Sequence, residues 1–338
     1  MCVYLPAEPK VHEFDLEAAN KAGVRIFLVA ADLHNPLAGN KHLKLQPWLQ
    51  RVKAEGGKGL IGVGGAWSNF ILSLALASNQ AGIACTGIIR GAEHQPTQNH
   101  CATQATAMLQ DAALAGMKLH FVSRAEFKRR AEPAWQQQWL AAYPDYLYVP
   151  EGGSSLDSAR ACRALLPQNL NATHWVIAAG TGATAAGLLA AIPDTGNLLV
   201  INISGDQKLQ QQVLDWGTTL CLEGQMKAGL IAQSAAETTA RVTFPAHQQP
   251  RFGKLTAGLC ELANNCFEQT GILLDPVYTV KAMQQVQWML QCGEFPAGAR
   301  IVLIHTGGLQ GWRGYLNGYS SFLSQSVREY IDSLYLQP

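Results

Sequence analysis

Apolar and polar positions fall in blocks along this chain rather than alternating residue by residue. Short runs rich in Val, Ile, Leu, Ala and aromatics, at 24–30, 60–63, 84–89, 118–122, 146–149, 174–179, 197–203 and 300–305, are bounded by Gly, Asn, Asp or Pro. Runs of that length without strict alternation predict strands buried on both faces, as in a parallel sheet. Between them the spacing turns helical, at 47–54, 69–80, 102–115, 125–142, 156–166, 255–269 and 280–291. Strand, helix and strand with short connections predict parallel crossovers and an α/β architecture. The stretch Glu151-Gly152-Gly153-Ser154-Ser155 breaks the pattern and suggests a domain boundary. Neither an internal repeat nor a low-complexity tract appears.

Composition narrows this picture. A chain of 338 residues allows one large or two moderate domains, and 48% hydrophobic against 14% charged residues requires a sizeable interior. A net charge of +1 leaves no basic surplus for nucleic acid or an anionic membrane. The basic run Lys128-Arg129-Arg130 reads as a solvated helix face. The stretches 60–89 and 175–192 lack Asp, Glu, Lys, Arg and His, and on length alone could be mistaken for membrane spans. Their Gly clusters, with Ser, Asn or Thr in the middle, suit buried strand-loop-helix units instead. Eight cysteines show no CxxC pair and no metal-ligand spacing, so no metal is expected, and reduced thiols in a cytoplasmic protein are. The Pro-interrupted start, Leu5-Pro6-Ala7-Glu8-Pro9, resembles no targeting segment.

Three stretches carry candidate chemistry. Lys41 lies in Gly39-Asn40-Lys41-His42-Leu43-Lys44-Leu45, ahead of the loop Gly64-Gly65-Ala66-Trp67-Ser68-Asn69. An amine desolvated among backbone dipoles loses its proton and becomes a Schiff-base nucleophile, although a lysine beside Gly-Asn is more commonly a surface charge. Gly180-Thr181-Gly182-Ala183-Thr184, between a strand and a helix, predicts an anion cradle, with a plain tight turn as the simpler reading. A dinucleotide site would want an acid closing the next strand, roughly 20 residues on. That strand ends Asn202-Ile203-Ser204, with Asp206 beyond it, so a monophosphate fits better. A monophosphate cradle, a Schiff-base lysine and a Ser-Asn loop together suggest pyridoxal 5′-phosphate.

The chain also resembles a known family. Gly39-Asn40-Lys41 with Lys44-Leu45, Gly64-Gly65 with Ser68-Asn69, Gly180-Thr181-Gly182, Asp275-Pro276-Val277-Tyr278 with Lys281-Ala282-Met283, and His305-Thr306-Gly307-Gly308 look like the signatures of the 1-aminocyclopropane-1-carboxylate deaminase and D-cysteine desulfhydrase family. They stand in the family's order across 39–308. The resemblance implies a fold type II pyridoxal phosphate enzyme like the tryptophan synthase β-subunit, with two three-layer αβα domains and mostly parallel sheets. It implies a large domain of 1–44 plus 151–338, a smaller one inserted at 45–150, the cofactor in the cleft between them, and a homodimer.

By the same resemblance Lys41 would carry the cofactor as a Schiff base and Asn69 would meet its ring hydroxyl. Gly180, Thr181, Gly182, Ala183 and Thr184 would hold the phosphate, with Lys44. Ser68 and Tyr278 would act on a small amino-acid substrate. The implied reaction is α,β-elimination, D-cysteine giving pyruvate, ammonia and sulfide, with cyclopropane ring-opening deamination and cofactor binding without turnover as alternatives.

Three departures from the family bear on that choice. Trp67 and Phe70 flank Ser68-Asn69 where polar residues are usual, which places them in the substrate pocket unless they are ordinary packing. Phe252 stands where a second active-site tyrosine is expected. Thr279 follows the tyrosine where ring-opening deaminases carry a Glu that protonates the pyridine nitrogen, and Thr306 could offer that nitrogen a neutral hydroxyl instead. His42 and His305 read as bystanders, and Glu151 as part of a hinge.

Overall fold

A computed structural model describes residues 9–30, 39–91, 106–167, 170–228, 234–246 and 252–334. The Asn35-Pro36 turn, Leu37, Ala38, 102–105, Arg251, Cys2, Cys101 and the start as far as Glu8 lie outside these residues. The strands are β1 (Lys10–Phe14), β2 (Arg25–Ala30), β3 (Gly59–Gly65), β4 (Ala84–Arg90), β5 (Lys118–Val122), β6 (Tyr146–Val149), β7 (His174–Ala179), β8 (Asn197–Asn202), β9 (Val242–Thr243) and β10 (Arg300–His305).

The chain divides into two units, Met1–Asn40 with Ala159–Tyr335, and Lys41–Ser158 with Leu336–Pro338. The first break falls at Asn40–Lys41 rather than at 44–45, because a helix begins at Lys41 and drives Leu45, Trp48 and Val52 into the core of the smaller unit. The second falls at Ser158–Ala159 rather than near Glu151.

In the larger unit the sheet order is β1-β2-β10-β7-β8-β9, parallel except for β1, which runs antiparallel to β2. Apart from polar residues at their ends, the central strands are apolar and buried, as the uninterrupted runs predict. In the smaller unit the order is β5-β4-β3-β6, all parallel. Among the described residues no helix is long and apolar enough to cross a membrane.

Several helices differ from expectation for local reasons. The helix expected from residue 47 starts at Lys41, with Pro47 inside it. An interior proline costs about 3 kcal/mol, and burial of Leu43, Leu45, Trp48 and Val52, at roughly 1.5–3 kcal/mol each, outweighs it. The single helix expected over 125–142 is three pieces: Arg124–Phe127 capped by Ser123, a 3-10 turn Lys128–Ala131, and a new helix Pro133–Ala142. Proline at the first helical position starts a helix better than it continues one, which explains the break. The helix expected over 156–166 is α-helical over Leu156–Ala161 and 3-10 over Cys162–Leu165, and Leu166 turns extended ahead of Pro167. β1, the helix Glu17–Ala22 and the long helix Lys208–Ala228 were not anticipated. β1 is an exposed edge strand without an apolar run, and Lys208–Ala228 opens on Gln-rich polar turns.

Each sheet has one place where consecutive connections leave in opposite directions, and ligands of open α/β sheets sit at the carboxyl ends of the strands there. In the larger unit it lies between the paired strands β10 and β7, followed by Thr306-Gly307-Gly308 and Gly180-Thr181-Gly182. In the smaller unit it lies between β3 and β6, followed by Ala66-Trp67-Ser68 and the Gly152-Gly153 loop. The sequence-predicted loops therefore stand at the switch point of their own sheet.

The helix Ala183–Leu189 leaves the first of these loops and crosses the Ala159–Cys162 backbone at Gly187. A Cβ at Gly187 would come within 2.1 Å of the Ala159 carbonyl oxygen and 2.9 Å of Cys162 Cβ. The roughly 1 kcal/mol that alanine gains in helix propensity cannot offset a clash with backbone. Gly187→Ala is expected to lower stability by about 1–3 kcal/mol, measured by urea denaturation; an unchanged midpoint would contradict this packing.

Candidate active site

Four segments of the larger unit converge at the β10–β7 switch point. Gly39 has φ +56°, and a Cβ there would stand 2.3 Å from the Thr306 carbonyl oxygen, so only glycine lets the chain come this close. The next residue completes the join: the Asn40 N–H donates to the Thr306 carbonyl at 2.8 Å. Its side chain reaches the other loop, where Nδ2 donates to Thr184 Oγ1 at 3.0 Å. Asn40 is buried, whereas Thr184 and Thr306 are half-buried. Gly182 and Ala183 are buried, and the Thr181 carbonyl accepts from Gln212 Nε2 at 2.6 Å, which ties the loop to the Lys208–Ala228 helix.

The fourth segment brings the tyrosine. A Cβ on Gly180 would lie 3.0 Å from Tyr278 Cε1, so the tyrosine ring rests on the glycine loop, and Phe252 packs edge-on against it at 6.0 Å between centroids. Phe252 is 55% exposed. The Asp275 carboxylate holds the tyrosine's backbone. Oδ1 accepts from the N–H groups of Val277 at 3.1 Å and Tyr278 at 2.7 Å, and Oδ2 from that of Thr279 at 2.7 Å. These are orphan donors at the start of the Thr279–Gln291 helix, and a buried acid satisfies them.

Thr279 is fully buried, and its hydroxyl meets His305 Nδ1 at 3.2 Å. Lys281 is also fully buried; burial pushes its ammonium below the usual lysine range, with the Asp275 carboxylate opposing the shift.

The smaller unit carries the remaining candidates. Lys41 is the first residue of its helix and half-buried. Lys44 is buried; its Nζ donates to Ser154 Oγ at 3.1 Å, and its carbonyl accepts from Ser158 Oγ at 2.7 Å. Ser68 caps the helix Asn69–Ala81, its Oγ accepting from the Ile71 N–H at 3.4 Å, and Asn69 is buried at the first helical position. Thr106 Oγ1 donates to the Ala66 carbonyl and steadies the same loop.

The two aromatics flanking the Ser-Asn pair part company. Trp67 is 47% exposed, so it is not packing. Phe70 is 3% exposed in the core of the unit, its ring against Gly62 and Gly153, and this corrects its expected place in a substrate pocket. Glu151 pairs with Arg130 at 2.8 Å.

Two residues of the site went without a role in the sequence reading. Asn40 was visible only as the neighbour of Lys41, and nothing in its spacing points to Thr184, 144 residues away. Asp275 was readable in principle, since Asp-Pro ahead of a helical run is an Asx-turn signal.

The geometry can be compared with known proteins. A family model described as "Pyridoxal-phosphate dependent enzyme" matches residues 14–307. A 1-aminocyclopropane-1-carboxylate deaminase of Ralstonia pickettii is 25% identical over 319 residues, covering 88% of this chain and 89% of the relative. A protein of Oryza sativa subsp. japonica, named provisionally as a mitochondrial D-cysteine desulfhydrase 2, is 26% identical over 344 residues, covering 88% and 80%. The crystal structure of an ACC deaminase homologue superposes with a TM-score of 0.73 at 22% identity, covering 94% of this chain and 95% of the other, which shows the same fold.

Replacing Asp275 with Asn keeps one accepting oxygen and turns an amide N–H toward the Thr279 N–H. Asp275→Asn is therefore expected to cost about 1.5–3 kcal/mol, the usual worth of hydrogen bonds to a charged group. Urea denaturation measures it; a loss below about 0.5 kcal/mol would mean that those N–H groups are satisfied in another way.

Proposed function

Since this chain belongs to the pyridoxal-phosphate dependent enzyme family, we propose that it eliminates a β-leaving group from a small amino acid, with D-cysteine as the substrate. Water is the second reactant, and pyruvate, ammonia and sulfide are the products.

The larger unit suits the cofactor's phosphate. No Asp or Glu occurs within 175–192 to repel an anion, Gly180 leaves no side chain over the loop, and the Thr184 hydroxyl is oriented by Asn40. On this reading Gly180, Thr181, Gly182, Ala183 and Thr184 hold the phosphate, Asn69 meets the ring hydroxyl, and Lys41 Nζ is the amine that takes the aldehyde. Bound there, the cofactor supplies an electron sink for the charge left at the substrate's α-carbon. On this reading Lys41 Nζ serves as the base for the α-proton, Ser68 Oγ as a second polar group and Tyr278 as a third group acting on the substrate.

One observation carries the choice of reaction. Position 279 holds a neutral hydroxyl engaged with His305, at the place where the family's ring-opening deaminases are expected to hold a carboxylate. The carboxylate four residues earlier, Asp275, is engaged in holding three backbone N–H groups. A neutral hydroxyl in place of that carboxylate holds a proton on a pyridine nitrogen less well, which disfavours breaking a carbon–carbon bond more than losing a thiolate. The Ralstonia pickettii relative's name favours the second reading, ring-opening deamination. The resemblance adds a homodimer in the cytoplasm to this proposal.

Purified protein loaded with pyridoxal phosphate and given D-cysteine, L-cysteine, β-chloroalanine or 1-aminocyclopropane-1-carboxylate separates the readings. Pyruvate and sulfide from D-cysteine are expected. Formation of 2-oxobutyrate from the cyclopropane substrate would transfer the assignment to the deaminase, and a coloured protein without any keto acid would mean binding without turnover. Lys41→Ala is expected to abolish the visible absorbance of the bound cofactor and to lower turnover by at least about 10²–10⁴-fold, the usual worth of a positioned base; retained colour and rate would remove Lys41 from the site.

A further inference from the structure

Thr184 Oγ1 stands 3.0 Å from Asn40 Nδ2 and 3.9 Å from Cys162 Sγ. Both neighbours are donors, the carboxamide a strong one and the thiol a weak one, and both are buried. A hydroxyl has two lone pairs and one hydrogen, so with its lone pairs occupied it has only the O–H left to give. Among the described residues no group accepts that hydrogen, and Thr184 is half-buried rather than sealed in the core.

We infer that Asn40 is a positioning residue whose carboxamide commits the Thr184 hydroxyl to donating toward an anionic oxygen of the phosphate class. The inference rests on the cofactor reading above and adds to it the group that sets the polarity of the phosphate loop. The role is separable from the anchoring of Lys41. The Asn40 main chain is held independently by its N–H on the Thr306 carbonyl, so changing the side chain leaves that hold in place. Aspartate is nearly isosteric but presents oxygen where the NH₂ was. The Thr184 hydroxyl then turns to donate to the carboxylate and is lost to the ligand.

The test uses the full chain stripped of cofactor, with three probes: pyridoxal 5′-phosphate, pyridoxal without the phosphate, and inorganic phosphate. Affinities come from titration, and phosphate binding also from the shift in melting temperature. Asn40→Asp is expected to weaken pyridoxal phosphate by about ten- to a hundred-fold, the range for a hydrogen bond to a charged group, to leave pyridoxal within about three-fold, and to abolish the phosphate-induced shift. Thr184→Val should show the same pattern, and adding Asn40→Ala to it should cost nothing more, because the two side chains act as one unit.

Equal weakening of pyridoxal and its phosphate, or a wild-type phosphate response in Asn40→Asp, would overturn the inference. Should Asn40→Asp fail to fold, Thr184→Val alone and with Cys162→Ala carries the same comparison between phosphorylated and unphosphorylated probe. A wild-type protein that responds to phosphate but takes no pyridoxal phosphate, with the response lost in Asn40→Asp, would uphold this inference and overturn the cofactor reading. A wild-type protein that binds neither would overturn both.

Discussion

The hydrogen bond from the Asn40 N–H to the Thr306 carbonyl is the constraint on which the arrangement of the site depends. It joins the end of the first chain segment of the larger unit to the loop leaving its central strand β10, and it forms only because Gly39 has no Cβ to hold the two backbones apart. Successive Cα atoms are about 3.8 Å apart across a trans peptide, so holding Asn40 limits how far from Thr306 the next Cα can lie. The residue held in this way is the one that immediately precedes Lys41. A hydrophobic contact could not do this, since burial is proportional to area and does not set a distance.

Among the described residues, the buried Asp275, Thr279 and His305 are matched with partners that fix their direction. Asp275 turns three backbone N–H groups inward and thereby sets where Tyr278 leaves the loop, and Thr279 and His305 satisfy each other in the interior. Because a buried polar group without a partner costs about 1–3 kcal/mol, such networks have few alternative arrangements. The aromatic side chains are then placed by what the network leaves open. Tyr278 lies on Gly180, Phe252 lies against Tyr278, and two tyrosine hydroxyls of the C-terminal segment, Tyr315 on the Gly253 carbonyl and Tyr319 on that of Leu255, hold the segment that carries Phe252.

Much of the fold was legible in the chain because parallel strands announce themselves. The runs 118–122, 146–149, 174–179 and 300–305 coincide with β5, β6, β7 and β10; β7 and β10 are buried beyond their first residue, and β6 and β7 are closed by Pro150 and Gly180. What was not legible lacked that signal. β1 is amphipathic at an edge, and the Pro133 break within 125–142 depends on a preference for helix starts that outweighs a continuous helical spacing. Phe70 illustrates the same limit at the site. Its place beside Ser68 and Asn69 suggested a pocket wall, but the first turn of the helix points it back into the core against Gly62 and Gly153.

The sequence alone determined the α/β class, the strand-loop-helix units with glycine at their turns, and the residue types able to bind a phosphate and form a Schiff base, because periodicity and turn chemistry are local. The family followed from several short motifs in one order. Only the tertiary structure decided which of those residues meet: that Asn40 reaches Thr184, that Asp275 aims Tyr278 at Gly180, that His305 engages Thr279, and that Trp67 faces solvent while Phe70 does not. These pairings join residues far apart along the chain. Their distances are set by strand order and by backbone approach, neither of which leaves a periodic trace in the residues themselves.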